Sequence, residues 1–190
     1  MSPRKATSEA AIYQLKITLR DAKPPIWRRV QVPNDITLAK LHKIIQAAMG
    51  WYDCHLHEFE IHGQAYGQPI PDMDFADIKS DRTLRLNQFI PGEKFKFPYV
   101  YDMGDGWEHQ ILVEKVLSPD PEVRYPICIK GKRACPPEDC GGVWGYVEFL
   151  EAIQNPQHPE HDTMLEWIGG DFDAEAFDLE ATNRQLQQIR

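Results

Sequence analysis

Three of the four cysteines in the chain fall within "CIKGKRACPPEDCGG", residues 128–142. Cys135 and Cys140 have four residues between them, at the upper end of the spacing of about two to four that lets a tight turn aim two thiolates at one zinc ion. A third thiolate lies upstream, and "NPQHPEHD" can add a histidine if the intervening helix folds back. The pattern therefore predicts a candidate zinc site with ligands drawn from Cys128, Cys135, Cys140, His158 and His161.

Three other interpretations of this segment remain open. Zinc motifs usually contain two short ligand pairs, and this segment has only one. A tight turn with buried or partly buried thiols is therefore favoured over a metal site, with the Pro-Pro and Gly-Gly pairs directing the chain into a helix at Tyr146. The remaining interpretations are a redox or disulfide role, and a nucleophilic Cys140 whose pKa is lowered by the N-terminus of that helix.

A second candidate site surrounds a predicted hairpin turn in "YDMGDGWEH". Carboxylates beside a histidine are suited to acid–base catalysis or to metal-assisted hydrolysis. Asp and Gly are also the residues that a hairpin turn requires, and His109 alternates with Trp107 as a packed imidazole would. The structural interpretation is favoured, which leaves Asp102, Asp105, Glu108 and His109 as candidate catalytic residues only.

A third candidate is "CHLHEFEIH", in which His55 and His57 share one face of a predicted strand and could bind one metal ion. His62 lies on the opposite face. Because Phe59 lies on the same face as the first pair, a hydrogen-bonded core histidine is the favoured interpretation. His42, on a predicted helix, has no partner nearby in the sequence and is a weaker candidate.

Hydrophobic periodicity predicts the elements that position these residues. Strand patterns come first, a helical pattern runs from Thr37, a possible N-cap, to Gly50, and helical patterns dominate the C-terminal part. The predicted segments are strands within 13–19, 26–32, 56–63, 95–101 and 107–113, a loop over 67–81, a helical turn or edge strand at 83–89, and helices from Tyr146, from Asp162 and from Asp173 as N-cap.

This order predicts a single α+β domain. We expect a mixed or antiparallel sheet of about five or six strands, one helix packed on it, and a C-terminal cap of three helices; the order is compatible with a β-grasp-like core. The expected organisation is a disordered tail over 1–11 and a domain over 12–190, with a sheet-rich part at 12–127 and a helical cap at 143–190.

Composition and charge exclude several classes of protein. The apolar fraction of 42% indicates a folded core, and no run approaches the roughly 20 apolar residues of a membrane span. The N-terminal segment lacks the apolar stretch of a secretory signal, so a cytoplasmic location is expected, where disulfides are rare.

Nucleic acid is not a favoured partner. Residues 1–50 carry nine Lys/Arg against three Asp/Glu, but Arg28 and Arg29 lie in a predicted strand and are interpreted as part of a solvated face. From residue 134 onwards the chain carries twelve acidic and two basic residues, which would repel phosphates. The aromatic ladder at 95–101 could stack bases but is more simply a core face.

Several stretches together resemble the plasmid Ri ORF-three-like family, some of whose members carry the label insertion-element passenger TnpR-like. The similarity covers about residues 12 to 186 and rests on "PPIWRRVQVP", "TLAKLHKIIQAAMGW", "HLHEFEIHGQAYG", "YVYDMGDGWEH", "ACPPEDCGG" with "GYVEFL", and "HPEH" with "FDAEAFD". The resemblance implies no established activity. The label implies a DNA resolvase, but a serine resolvase needs an activated serine among arginines, and the chain has no such motif.

Three functions follow as expectations. The favoured one is a non-enzymatic binding or interaction module for a protein or small-molecule partner, with zinc as the candidate stabilising ion. The alternative is a metal-assisted hydrolase with ligands from the cysteine segment or from His55, His57 and His109. A DNA-associated role as a mobile-element accessory protein rests on the family label alone.

Overall fold

The computed structural model describes residues 10–69 and 78–189 of the chain. The expected disordered tail lies almost entirely outside these residues, and so does the middle of the predicted loop over 67–81. Within the described residues, no helix is both long and apolar enough to cross a membrane.

The described residues form one mixed sheet of eight strands and four α-helices. The strands are β1 (Ile12–Leu19), β2 (Trp27–Pro33), β3 (His57–Ile61), β4 (Gln64–Gly67), β5 (Lys79–Ser80), β6 (Lys96–Tyr101), β7 (Trp107–Leu117) and β8 (Ile127–Lys132). The helices are α1 (Leu38–Met49), α2 (Gly142–Gln154), α3 (His161–Ile168) and α4 (Leu179–Leu186), with a short 3-10 helix at Leu86–Gln88. The strand order is β5-β4-β3-β6-β7-β1-β2-β8, antiparallel throughout except for the parallel pair β4 and β5.

The α+β class with a mixed sheet is confirmed, but the number of strands predicted was too low. The sheet has eight strands among the described residues, and β4, β5 and β8 were missed. The first two are four and two residues long, too short to show alternation. Strand β8 carries Lys130, Gly131 and Lys132, which have weak strand propensity, and pairs only with β2 at the sheet edge. The β-grasp-like core is not confirmed.

Helix α1 matches its predicted limits. The Thr37 hydroxyl accepts a hydrogen bond from the Lys40 backbone N–H at 3.1 Å, and Gly50 ends the helix at a left-handed φ of 104°. Leu41 and Ile45 on its apolar face are fully buried in the core. The local sequence thus specified both ends of this helix and its packed face.

Helix α4 begins later than predicted. Asp178, not Asp173, is its N-cap, and its carboxylate accepts from the backbone N–H of Ala181 at 2.8 Å. Just before the cap, the ring of Phe177 lies 4.3 Å from the guanidinium carbon of Arg28. We attribute the late start to this tertiary contact, which holds the preceding residues away from a helical path.

The solvated-face interpretation was wrong for Arg28. Its side chain is buried, and it donates to the backbone carbonyls of Ala48 at 2.8 Å and Lys132 at 3.1 Å. One of these carbonyls belongs to the last turn of α1, where a positive charge is favourable. Arg28 therefore joins α1 to the sheet edge and to the segment that enters α4.

Candidate functional site

The candidate site lies where the loop between α1 and β3, residues 51–56, meets the turn between β6 and β7. The backbone N–H of Asp102 donates to the carbonyl of Leu56 at 2.9 Å, which fixes the loop beside the turn. The indole N–H of Trp51 donates to the carbonyl of Pro136 at 3.0 Å, which holds the cysteine segment against the same loop. Three segments that are distant in sequence therefore meet at one end of the sheet.

His55 lies at the centre of this junction among three carboxylates. Its Nε2 is 3.0 Å from Asp139 Oδ1, 3.6 Å from Asp102 Oδ2 and 3.6 Å from Glu138 Oε2. Among the described residues, two groups of three side chains have potential metal-ligand atoms that all lie within 4.8 Å of one another. One group is Cys54, His55 and Glu138, and the other is His55, Asp102 and Asp139. We call these five residues the His55 cluster.

The His55 nitrogen that faces the carboxylates is shielded from solvent and makes no hydrogen bond with a described residue. The side chains of Asp102 and Glu138 are only 10% and 11% exposed. Carboxylates removed from water in this way are costly unless a cation or several hydrogen-bond donors face them. The cluster therefore has a surplus of buried negative charge directed at one imidazole nitrogen.

Neighbouring groups hold these side chains in place. The Tyr101 hydroxyl donates to both carboxylate oxygens of Glu138, at 3.1 and 3.2 Å, and accepts from the backbone N–H of Cys54 at 3.1 Å. Asp102 accepts the backbone N–H of Gly104 through Oδ1 at 2.8 Å, which leaves Oδ2 to face His55. The cluster is thus built on a loop and two turns, and hydrogen bonds from Tyr101 and from the backbone of Gly104 orient its carboxylates.

Beside the cluster, His42 of α1 and His57 of β3 form a stacked pair, which we call the His pair. Their ring centroids are 3.5 Å apart and the planes are within 7° of parallel. Nε2 of His42 donates to Asp53 at 2.6 Å, its Nδ1 accepts from the Tyr99 hydroxyl at 2.8 Å, and Nε2 of His57 donates to Asp81 at 2.8 Å. Each imidazole therefore has a carboxylate partner.

Burial controls the protonation of the His pair. Removal from water, with a smaller effect from His57, lowers the pKa of His42 to about 4, so its ring is neutral at pH 7. Burial alone would raise the pKa of Asp81, but the hydrogen bond and charge of His57 lower it below its ordinary value. The result is a neutral imidazole stacked on one that faces a carboxylate.

The His pair and two members of the His55 cluster, Cys54 and His55, line the same cleft. It has a volume of about 660 Å³, and its lining includes His42, Cys54, His55, His57 and Asp81. A ligand in this cleft would contact both groups at once. The sequence pattern groups His55 with His57, and the structure adds His42, which has no partner nearby in the sequence.

The four candidate catalytic residues separate in the structure. Asp102 belongs to the His55 cluster, whereas Asp105 accepts the backbone N–H of Gly141 at 3.1 Å and Glu108 pairs with Arg20 at 3.2 Å. His109 is completely buried between aromatic rings, and burial lowers its pKa to about 4. Of the four, Asp102 is the one that belongs to a group of three potential metal ligands among the described residues.

The predicted zinc ligands also lie apart. Cys128 Sγ donates to the Lys130 carbonyl at 3.5 Å, His158 Nδ1 accepts the backbone N–H of Glu160, and His161 Nδ1 donates to the Ala152 carbonyl. Among residues 10–69 and 78–189, no group of three ligand atoms includes Cys128, Cys135, Cys140, His158 or His161. The zinc site at these residues stays a prediction.

The cysteine thiols have the environment of packed side chains. All four cysteines are free. Burial, together with the charge of Asp105, raises the pKa of Cys140 to about 12, and burial raises the pKa of Cys135 as well. A nucleophilic thiolate needs the opposite shift. The turn with buried thiols is the interpretation that agrees best with these surroundings.

From the sequence, His42 is a weak candidate, and Cys54, Asp81, Glu138 and Asp139 are not identified as site residues. One available signal was the spacing of His42 and Gln46, which places two polar side chains on the buried side of an otherwise apolar helix. Both hydrogen-bond with the Tyr99 hydroxyl in the core. The other signal was the acidic pair "ED", Glu138 and Asp139, which lies between two of the cysteines in the predicted zinc site.

Comparisons with known proteins identify the family. The family model of plasmid pRiA4b ORF-3-like proteins matches residues 11–181. The uncharacterized protein y4hQ of Sinorhizobium fredii is 38% identical over 181 residues, which are 95% of this chain and 93% of the relative. The crystal structure of MM3350, a protein of unknown function from Methanosarcina mazei, is similar with a TM-score of 0.82 and 40% identity, covering 90% of this chain and 96% of that one. The chain therefore belongs to the plasmid pRiA4b ORF-3-like family.

Proposed function

We propose that this protein is a metal-binding module that holds a divalent transition-metal ion at the His55 cluster. The observation that carries the proposal is the solvent-shielded Nε2 of His55, which faces three carboxylates within 3.6 Å, the nearest being Asp139 at 3.0 Å. Imidazole and carboxylate ligands suit zinc, manganese and iron. A bound cation would also offset the buried negative charge of Asp102 and Glu138.

The proposed ion would stabilise the junction of three segments. His55 comes from the loop after α1, Asp102 from the end of β6, and Glu138 and Asp139 from the segment before α2. Because these segments are remote in sequence, the unfolded chain does not hold the ligands together, so the ion would bind the folded state preferentially and stabilise it. The proposal keeps the zinc-stabilised binding module expected from the sequence and assigns the ion to a different set of ligands.

Replacing His55 by glutamine is expected to weaken zinc or manganese binding by about 100-fold or more, because it removes the ligand that both three-residue groups share. Calorimetric titration of the metal-stripped full chain with Zn²⁺ and Mn²⁺ measures this affinity. Asp102→Asn tests the second ligand, and His62→Gln, which changes an exposed histidine outside the cluster, is the matched control.

Two outcomes would overturn the proposal. One is an unchanged affinity in His55→Gln with a lost affinity in the Cys135→Ser/Cys140→Ser double variant, which would place the ion at the cysteines. The other is no binding of either metal by the stripped wild-type chain at millimolar concentration. In both cases circular dichroism confirms that the variants are folded.

Metal-assisted hydrolysis is the second candidate function, and the shared cleft favours it. His57 of the His pair lies in the cleft next to the proposed ion and donates through Nε2 to Asp81, which is the arrangement of a general base held by a carboxylate, whereas both nitrogens of His42 are already hydrogen-bonded. A metal ion there would supply Lewis-acid activation of water or of the bond to be cleaved. The excess of acidic residues from position 134 onwards, twelve against two basic residues, disfavours the DNA-associated role.

We expect His57→Gln to keep metal affinity and to lower kcat by about 100-fold, since general bases contribute on the order of 100- to 10,000-fold. Chromogenic carboxylic and phosphoric esters, assayed with the zinc- and manganese-loaded chain, provide the measurement. Equal turnover in the wild type and in His57→Gln, or none in the loaded wild type, would leave metal binding standing and remove the hydrolase function.

A further inference from the structure

A second cavity lies in the C-terminal helical part, between α2 and α3. It has a volume of about 550 Å³, within the usual range of small-molecule sites. Its apolar wall combines Phe149 and Ala152, which are buried, with Met164 and Trp167. The Trp167 ring meets the Phe149 ring edge to face at 5.7 Å and remains 47% exposed, so an aromatic surface is open to a ligand.

The charged residues around this cavity have a single sign. Asp139, Glu148, Glu151 and Glu160 line it, and the lining includes no Lys or Arg. Within the described part of the chain, none of the three glutamates has an ion-pair partner. The cavity between β7 and α2 differs, because Arg20 and Lys23 accompany its carboxylates. The potential in the α2–α3 cavity is therefore negative, next to an apolar wall.

We propose that the α2–α3 cavity binds a small organic cation, an amine or quaternary ammonium group joined to an apolar body. The apolar body would pack on Phe149, Met164 and Trp167, where its burial is favourable. The cationic group would interact with the Trp167 ring and with the unpaired glutamates at the rim. An anion would meet repulsion, and a neutral ligand would gain from the apolar wall alone. The proposal does not depend on a metal ion at the His55 cluster.

Three small molecules of similar shape but different charge test whether the positive charge is required for binding. Phenyltrimethylammonium carries the cation on an aromatic body, tert-butylbenzene is its neutral isostere, and 4-tert-butylbenzoate is an anion of similar shape. Calorimetric titration of the full chain should give binding of the cation that is at least about tenfold tighter than that of the neutral probe, with no binding of the anion. Equal affinities for the cation and its neutral isostere, or no binding of the cation at about 10 mM, would overturn the proposal.

A triple variant locates the site. Glu148→Gln/Glu151→Gln/Glu160→Gln changes exposed side chains, so the fold should be retained, and we expect it to weaken cation binding by about tenfold or more. The matched control is Glu60→Gln/Glu122→Gln/Glu180→Gln, which removes the same net charge from exposed positions outside the cavity. Trp167→Leu should weaken the binding of the cation more than the binding of the neutral probe. Equal losses in the two triple variants would show that only the overall charge attracts the cation, which contradicts the proposed site.

Discussion

Replacing Gly142 by alanine is expected to destabilise the protein by about 3 kcal/mol or more. Gly142 begins α2 with a left-handed φ of 69°, and a Cβ atom there would lie 2.4 Å from the carbonyl oxygen of Asp105. The obstacle is backbone, which a rotamer change does not relieve. The helix would have to move away from the β6–β7 turn, where Asp105 also accepts the N–H of Gly141.

Urea unfolding of Gly142→Ala and the wild type measures this loss. Gly169→Ala is the matched control, because Gly169 also has a left-handed φ, 81°, but a Cβ there would have no neighbour within 4 Å. It should cost only about 1 to 2 kcal/mol, the strain of the left-handed conformation. Similar losses of unfolding free energy in both variants would mean that the close approach of α2 to the turn does not oppose a Cβ atom at residue 142.

Gly142→Ala is also expected to change metal binding at the His55 cluster. The β6–β7 turn that Gly142 touches also carries Asp102, which faces His55. A shift of the turn should therefore lower metal affinity in Gly142→Ala even under conditions where the chain is folded, whereas Gly169→Ala should leave it unchanged. Metal titration of the two folded variants separates this coupling from stability.

Local patterns predicted the elements whose packing agrees with their own periodicity. In α1, the cap at Thr37, the apolar face and the end at Gly50 are all encoded within the helix and its flanks. The hairpin of β6 and β7 was equally readable, because Phe97, Tyr99 and Tyr101 alternate with exposed or half-buried residues. Strand β8 could not be predicted from its sequence, because its lysines and glycine are compatible with a strand only beside β2.

The candidate site could be predicted only in part, because its residues come together through the strand order. His55 and His57 are close in sequence and share a site, but their partners Asp81, Glu138 and Asp139 come from distant segments. The pairing of β3 with β6 brings Asp102 to His55, and no local pattern encodes that pairing. The spacing of Cys128, Cys135 and Cys140 suggests metal ligands, yet burial raises the pKa of all three thiols and favours packing.

Acidification from pH 6.5 to pH 4 is expected to destabilise the protein, with His109 alone contributing about 3 kcal/mol. Burial lowers the pKa of His109 in the folded state from 6.5 to about 4. As the pH falls below 6.5, the unfolded chain binds a proton at this residue while the folded chain does not, so stability decreases until the folded pKa is reached. His42 acts with the same sign, because its folded pKa is also about 4.

His109 and His42 each bind a proton in the unfolded chain at a pH at which the folded chain does not. Replacing His109 by phenylalanine should remove one of these two contributions to the pH dependence of stability. The side chain is completely buried between Trp51 and Tyr99, and its ring nitrogens make no hydrogen bond with a described side chain, so an apolar ring of similar size fits the surroundings. Urea unfolding at pH 7, 6 and 5 should show a smaller pH dependence in His109→Phe than in the wild type, and a nearly flat profile in the double variant with His42→Gln. A His109→Phe profile parallel to that of the wild type would mean that His109 binds its proton equally in both states, and the acid sensitivity would then have to arise elsewhere in the chain.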